Sequence, residues 1–520
     1  MGVTTFLQQA QAAVTRQDWG HARQLYQAAM ALQPDEPGLL LQYSQMESRA
    51  GRYTSARDST LKAALSPGGD PGLALAVASR LRMFNEGPAL LIYLQRFLPV
   101  QRMPLPLLLG FAAQLSYLNL QERALELLDE AWRADPDYPP TLVSRAQVLI
   151  YLGRFDTART ALQHCVRRAP ELAQAWWLLA QISAKEEASA QIGAIRRVMA
   201  KGHWQARDAA FFQYALHHHL DRLGDHEAAW SALQGACMAM RAQVAYDPAQ
   251  THDLFRALMA RSPRTTPGAA DTRRTPIFIV GLHRSGTTLL EQLLDGHDGV
   301  RGIGELYDFT SQLRLATDHH CRGVLDTRVI QLSQEADLGA VGHGYLQGLA
   351  WRLGDARHFT DKLPSNLLNV GLICEALPQA KILRMVRDPV ETCFSNLREV
   401  FSDTNPWSYD PLEMANYHRW SDTLAMHWKL AYPGRVLDVD YAALTRSPER
   451  VLREVVAFCG LDYQAGMLDI GRRTRAVATA SAVQARQGVR SLEVPKWAPY
   501  QHHLAPMIEI LQREMPGMAL

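Results

Sequence analysis

Eight consecutive residues, Gly281-Leu-His-Arg-Ser-Gly-Thr-Thr288, carry the strongest chemical signal in the sequence. The two glycines permit tight backbone turns. Ser285, Gly286, Thr287 and Thr288 can then aim successive N–H groups at an anion seated on a helix N-terminus, and the two threonine hydroxyls add donors. The run before the loop, Pro276-Ile-Phe-Ile-Val280, is short, apolar and β-rich, as a buried parallel strand requires. After it, Leu289, Leu290, Leu293 and Leu294 share one helical face. Strand, glycine loop and helix make a phosphate cradle, but not that of a nucleotide-hydrolysing enzyme. The pattern G-x-x-x-x-G-K-[ST] needs Lys after its second Gly, and Thr287 stands there. The cation of this loop is Arg284. No carboxylate downstream stands out as a Mg²⁺ partner.

Further elements must position this loop. Ala380-Lys-Ile-Leu-Arg-Met-Val386 reads as a second buried strand with a helix from about Pro389. Arg435-Val-Leu-Asp-Val-Asp-Tyr441 reads as a third, with a helix from Pro448. Strands alternating with helices predict an α/β domain on a mostly parallel sheet. The segment 261–275, rich in Pro, Gly, Thr and charge, reads as an exposed linker before it.

The N-terminal half has a different period. Ala22, Tyr26, Ala29 and Pro34 recur in type as Ala124, Leu128, Ala131 and Pro136, and as Ala158, Leu162, Cys165 and Pro170. The spacing is 34 residues or a multiple of it. Ala56, Thr60, Ala63 and Pro67 fill the second register, and the one near Leu90 is degenerate. Small residues let paired helices cross closely, and Pro ends the second of each pair. Turn signals fall at Asp18-Trp19, Gly51-Arg52-Tyr53 and Gly153-Arg154-Phe155, and a seventh pair carries Gly224-Asp225, Ala229, Leu233 and Ala236. Residues 1–245 thus read as six or seven stacked helix pairs. The consecutive His217, His218 and His219 diverge by about 100° each on a helix, which predicts a solvated face rather than a metal cluster.

The 520 residues exceed one ordinary core, and the 47% apolar and 20% charged fractions are those of a globular protein. A net charge of +2 implies no bulk attraction to nucleic acid or anionic membrane. The six cysteines are dispersed without ligand spacing, which predicts reduced thiols and a cytoplasmic setting. No signal peptide, myristoylation pattern or apolar run of about 18 residues is expected.

The repeat period resembles the tetratricopeptide repeat. Pro276 to Leu290 resembles the 5′-phosphosulfate loop of sulfotransferases, specifically the tyrosylprotein-sulfotransferase-like branch, which has Arg at the position of Arg284. That branch commonly has Pro where His283 stands. Arg387-Asp-Pro-Val-Glu-Thr-Cys-Phe-Ser395 resembles the family's 3′-phosphate element. The resemblance covers roughly 274–500 and implies a P-loop-like α/β sulfotransferase domain at 276–520, behind a linker at 261–275 and an all-α repeat domain at 1–260. It implies 3′-phosphoadenosine 5′-phosphosulfate (PAPS) as donor, without metal. It further implies Glu305 as base, with Lys362, Arg284 and Ser481 stabilising the transferred group. Arg284, Ser285, Gly286, Thr287, Thr288, Arg387, Ser395, Tyr441 and Lys496 would bind the donor. Thr479-Ala-Ser481 and Lys496-Trp497 look like the family's cofactor-covering loop, in which Arg486 and Arg490 are weaker candidates. The family's further phosphate Arg falls on Glu399, with Arg398 beside it.

The acceptor expected is a tyrosine in a peptide or protein, with a sugar, lipid or small-molecule hydroxyl as the alternative. The repeats would hold that peptide, buttress the second half or form a homodimer. A repeat scaffold with an inactive α/β domain, and a P-loop kinase or NTPase, are the competing classes.

Overall fold

The computed structural model describes residues 2–513 apart from 67–69, 265–272, 322, 402–404, 471–474, 480 and 487–493. Pro67, Arg490 and the middle of the expected linker lie outside the described residues. The chain forms two compact units, one from its first 136 residues together with 307–354, the other from the rest of the described chain.

The repeat reading holds through both. Helices Val3–Thr15 and Trp19–Leu32 pair across Asp18, whose side chain caps the second by accepting the His21 N–H. Helices Pro37–Arg49 and Tyr53–Leu65 pair across Gly51, which takes φ +82°. In the second unit, Pro139–Tyr151 pairs with Phe155–Arg168, and Ala206–Leu223 with His226–Arg241 across Gly224. The motif alanines are deeply buried: Ala22, Ala29, Ala56, Ala124, Ala131 and Ala158 are all 0% exposed. Any larger side chain there would push the helix axes apart.

Within the first unit, helices Asp308–Thr317 and Leu338–Gly348 pack with the early repeats. The Tyr53 hydroxyl lies 3.1 Å from that of Ser311, and the Thr54 N–H donates to Asp318 at 2.8 Å. These helices come from a long connection inside the α/β sequence, so that sequence contributes to both units.

The second unit holds one five-stranded parallel sheet of order β2-β3-β1-β4-β5. The strands are β1 Thr275–Gly281, β2 Val300–Gly302, β3 His358–Asp361, β4 Lys381–Val386 and β5 Val436–Asp440. β1 is central, with Ile277 opposite both Thr360 of β3 and Lys381 of β4. Ile277, Ile279, Leu383, Met385 and Val439 pack against helices Thr287–Leu294 and Pro448–Cys459 through Leu290, Leu293, Leu452 and Val456. The apolar runs predicted as strands are β1, β4 and β5. β2 and β3 are too short and mixed to show a period.

The expected linker is not exposed at its start. Arg261 is buried and makes a two-pronged ion pair with the buried Glu375. Glu375 also accepts the Arg264 N–H at 3.1 Å and the Tyr432 hydroxyl at 2.8 Å. A buried carboxylate with four donors fastens the chain just before β1 to the core. Glu375→Ala would strand the Arg261 charge in the interior. We expect a loss of about 3–5 kcal/mol, read from the urea unfolding of the second unit. A loss under about 1 kcal/mol would mean that water solvates this pair.

Candidate active site

Each of the five strands delivers a chemically distinctive residue from its carboxyl end. β1 runs into the 281–288 loop, β2 leads to Glu305, β3 to Lys362, β4 to Arg387 and β5 to Tyr441. In open parallel sheets this edge is where ligands bind, because the connecting loops and helix N-termini converge there.

The loop has three residues at positive φ. Gly281 lies at +143°, and a Cβ there would come within 2.9 Å of the Met385 carbonyl on β4. Gly286 lies at +106°, where a Cβ would meet the Tyr441 ring at 2.4 Å. Arg284 lies at +66° despite its side chain, a conformation costing on the order of 1–2 kcal/mol. Ser285 turns inward. Its N–H and hydroxyl both donate to the Leu282 carbonyl, at 3.3 and 2.7 Å, so the expected offer of that N–H to an anion is replaced by a turn that shapes the loop. Thr287 and Thr288 are buried in the first turn of a helix that has no side-chain cap. The Thr288 hydroxyl sits 3.4 Å from that of Thr479.

Arg284 gathers the strained loop's neighbours. Its Nε donates to Ser395 at 3.1 Å, one Nη to Ser481 at 2.5 Å, and the other pairs with Glu399 at 3.4 Å. Burial lowers the Arg284 pKa, and burial raises that of Glu399 despite Arg284 and Arg398 beside it. Arg387 donates to the Arg284 carbonyl at 2.9 Å and to Glu391 at 3.0 Å, with its guanidinium 4.5 Å above the Tyr441 ring. Tyr441 opens helix Tyr441–Arg446 rather than ending β5. The Lys496 backbone N–H is anchored by Glu391 at 3.0 Å. Burial, then Arg398, lowers the Lys496 pKa.

Together these residues line a cavity of about 460 Å³, within the range of small-molecule sites. Five cationic side chains, those of Arg222, Arg284, Arg387, Arg398 and Lys496, face three carboxylates, those of Asp221, Glu391 and Glu399. The surplus of positive charge suits a ligand with several phosphate-like groups.

A second constellation lies at β2 and β3. Their parallel pairing sets Gly302 beside Thr360, so the residues that follow, Glu305 and Lys362, come together. The Lys362 ammonium, with its side chain 0% exposed, donates to Glu305 at 2.6 Å, and its backbone N–H donates to Gly304 at 3.0 Å. Sequence reasoning missed the residue that braces them. Glu291, buried on the loop's helix, accepts the Gly304 N–H at 2.8 Å and the Thr360 hydroxyl at 3.1 Å, and pairs with Arg475 at 3.1 Å. Burial alone would raise its pKa, but Arg475 and Lys362 hold it below the usual value. His283 precedes Arg284 in the chain, and its ring feels the charges of Glu305 and Lys362. Burial pushes its pKa down to about 4, so the ring is neutral near pH 7. Neither Glu305 nor Lys362 is among the residues that line the cavity.

The three consecutive histidines are not a solvated face. His217 and His219 are 0% exposed, and His218 lines the cavity. Burial outweighed the polar reading because this helix is covered on both sides. Arg486 donates to the Tyr151 and Arg475 carbonyls at 3.1 and 2.8 Å. Among the described residues, one group has metal-ligand spacing, the largely surface-exposed cluster of Glu227, His502 and His503, and it lies outside the cavity lining.

Residues 276–465 match the model of the sulfotransferase family, and 122–182 match that of the tetratricopeptide repeat. An uncharacterized protein of Aquifex aeolicus is 28% identical over 403 residues, 75% of this chain and 52% of its own length. A protein-tyrosine sulfotransferase of Drosophila melanogaster is 27% identical over 202 residues, 37% of this chain and 39% of its own. The chain thus spans about half or less of the lengths of these two relatives. The solved sulfotransferase domain from the Synechococcus PCC 7002 olefin synthase is 21% identical, with a TM-score of 0.32, and covers 49% of this chain and 100% of that domain.

The Glu305–Lys362 pair is asymmetric, since Glu305 keeps 29% of its side chain exposed. Removing the carboxylate strands a buried ammonium, whereas removing the ammonium leaves a partly hydrated carboxylate. Glu305→Ala is therefore expected to lower the urea midpoint clearly more than Lys362→Met. Equal or reversed shifts would show that the ammonium has other adequate solvation.

Proposed function

We propose that this chain transfers a sulfuryl group from PAPS to an acceptor hydroxyl, that of a tyrosine presented in a peptide or protein. The observation that carries the reading is one cavity in which Arg284, Ser395, Ser481, Arg387 and Lys496 meet, with the Glu305–Lys362 ion pair at the carboxyl ends of two strands of the same parallel sheet. The donor set fits PAPS. Arg284 and Thr288 stand at the loop for the 5′ end, and Arg387 and Ser395 for the 3′-phosphate. PAPS supplies an electron-poor sulfuryl group on a phosphate leaving group that departs as an anion.

In this reading Glu305 accepts the acceptor's proton. A tyrosine hydroxyl, with a pKa of about 10, loses it only as the new S–O bond forms. Lys362 keeps the carboxylate in place and supplies positive charge beside it. Arg284 and Ser481 stabilise the charge that develops on the transferred group. Lys496 closes over the phosphates. No step requires a metal ion.

The repeat domain at 1–260 and the catalytic domain at 276–520 would divide the work, the first holding a peptide acceptor. The protein-tyrosine sulfotransferase of Drosophila supports that acceptor by likeness. A carbohydrate, lipid or small-molecule hydroxyl is the second choice for the same chemistry. All six cysteines are buried thiols, which suits a cytoplasmic setting. No described helix is long and apolar enough to cross a membrane.

Thermal shift separates the classes. The reading expects stabilisation by PAP (the desulfated donor) and PAPS, little by adenosine 5′-phosphosulfate, and none by GTP. Equal response to ATP and PAP would remove the 3′-phosphate assignment. With labelled PAPS and tyrosine peptides, Glu305→Ala should retain PAP binding and lose about 10²–10⁴ in turnover. Unchanged turnover would dismiss Glu305 as base, and loss of activity in EDTA would contradict the metal-free scheme.

A further inference from the structure

One wall of the cavity comes from the repeats. Helix Ala206–Leu223 contributes His218, Asp221 and Arg222 to the lining. From the same helix, His217 and Asp221 grip Arg398, the residue closing helix Pro389–Leu397. Arg398 Nε donates to His217 Nε2 at 2.8 Å, and Nη2 to Asp221 at 2.6 Å. The guanidinium lies 5.2 Å from the Phe394 ring centre.

The grip is itself braced. His217 Nδ1 faces the Ala229 carbonyl at 2.8 Å, so Nδ1 must carry the proton and Nε2 the lone pair that receives Arg398. Only the neutral ring satisfies both contacts, and burial with Arg398 beside it lowers the His217 pKa to about 3. The other Asp221 oxygen accepts the Tyr500 hydroxyl at 2.5 Å. Burial would raise the Asp221 pKa, but Arg398 and Tyr500 hold it below the usual range.

Next in sequence, Glu399 is buried and turned to Arg284. The two neighbours therefore divide two tasks: Glu399 neutralises the loop cation, and Arg398 faces the cavity.

We propose that helix 206–223 is a working part of the donor site, in which His217 and Asp221 act as positioning residues that fix Arg398 to take the donor's 3′-phosphate. This rests on the donor assignment above. It makes the last repeat pair a component of nucleotide recognition, so the α/β sequence is incomplete without it. Fixing the guanidinium beforehand spares its rotamer entropy on binding.

The test compares PAP with adenosine 5′-phosphate, which lacks the 3′-phosphate, by calorimetry on the full chain. Asp221→Asn should weaken PAP about tenfold, the scale of coupling within one hydrogen-bonded network, and leave adenosine 5′-phosphate unchanged. Asp221→Glu should recover part of the loss. In an Arg398→Ala background, Asp221→Asn should cost nothing more, which a general folding defect would not reproduce. If Asp221→Asn melts early, His217→Gln offers the same comparison. PAP binding that is unchanged or tighter in Asp221→Asn overturns the inference. Arg387→Ala is the control. If it abolishes the PAP preference while Asp221→Asn does not, the donor reading stands and this inference falls. If the wild-type chain shows no PAP preference, the donor reading itself falls.

Discussion

A guanidinium with only a tenth of its side chain exposed, that of Arg284, sets the terms for the rest of the site. A charge so far from water must be paired and hydrogen-bonded. Its three partners come from distant segments: Ser395 and Glu399 from the region after β4, and Ser481 from the C-terminal part. Arg387 then binds the Arg284 backbone, and Glu391 holds Arg387 and Lys496 together. The cations are thus fixed before any ligand arrives, by carboxylates that offset part of their repulsion. What remains is a surplus of positive charge that a phosphate-bearing ligand can satisfy.

The parallel sheet makes this possible at little conformational cost. Strands in register end together, so a residue placed one to three positions past each strand arrives at the same edge. Glu305 and Lys362 are far apart in sequence, yet the pairing of Gly302 with Thr360 brings them together as an ion pair. Glu291 extends the same logic to the loop's helix, tying it to the turn after β2 and to β3. Helix, turn and strand are therefore tied together by one carboxylate.

Local patterns were legible in the sequence, and long-range pairings were not. The alanine period announced the helix pairs because close crossing demands small residues at fixed positions. The run 276–280 and the loop after it were readable because strand, turn and helix signals abut there. β2 and β3 went unread because three or four residues carry no period. The roles of Glu291, His217 and Asp221 went unread because a buried polar residue looks like a surface one until its partner is known. His217-His218-His219 shows this most clearly: the run suggests solvent, yet the helix is covered and the His217 ring accepts from Arg398 and donates to Ala229.

His283 tests whether the departures in this loop are tolerated or built in. A proline at that position would stiffen the backbone by fixing φ. Here stiffness comes from outside the residue. Asn396 donates to the His283 carbonyl at 2.8 Å, the ring stands edge-on to Phe401 at 5.4 Å, and Ser285 closes the turn onto Leu282. Asn396 belongs to the same helix as Ser395, which binds Arg284. The carbonyl before Arg284 and the side chain of Arg284 are therefore held by adjacent residues of one rigid element. That arrangement can hold a left-handed arginine without proline. It also couples the loop to the segment that carries Arg398 and Glu399, so one helix holds the anion cradle in shape and leads directly into two of the charged groups beside it.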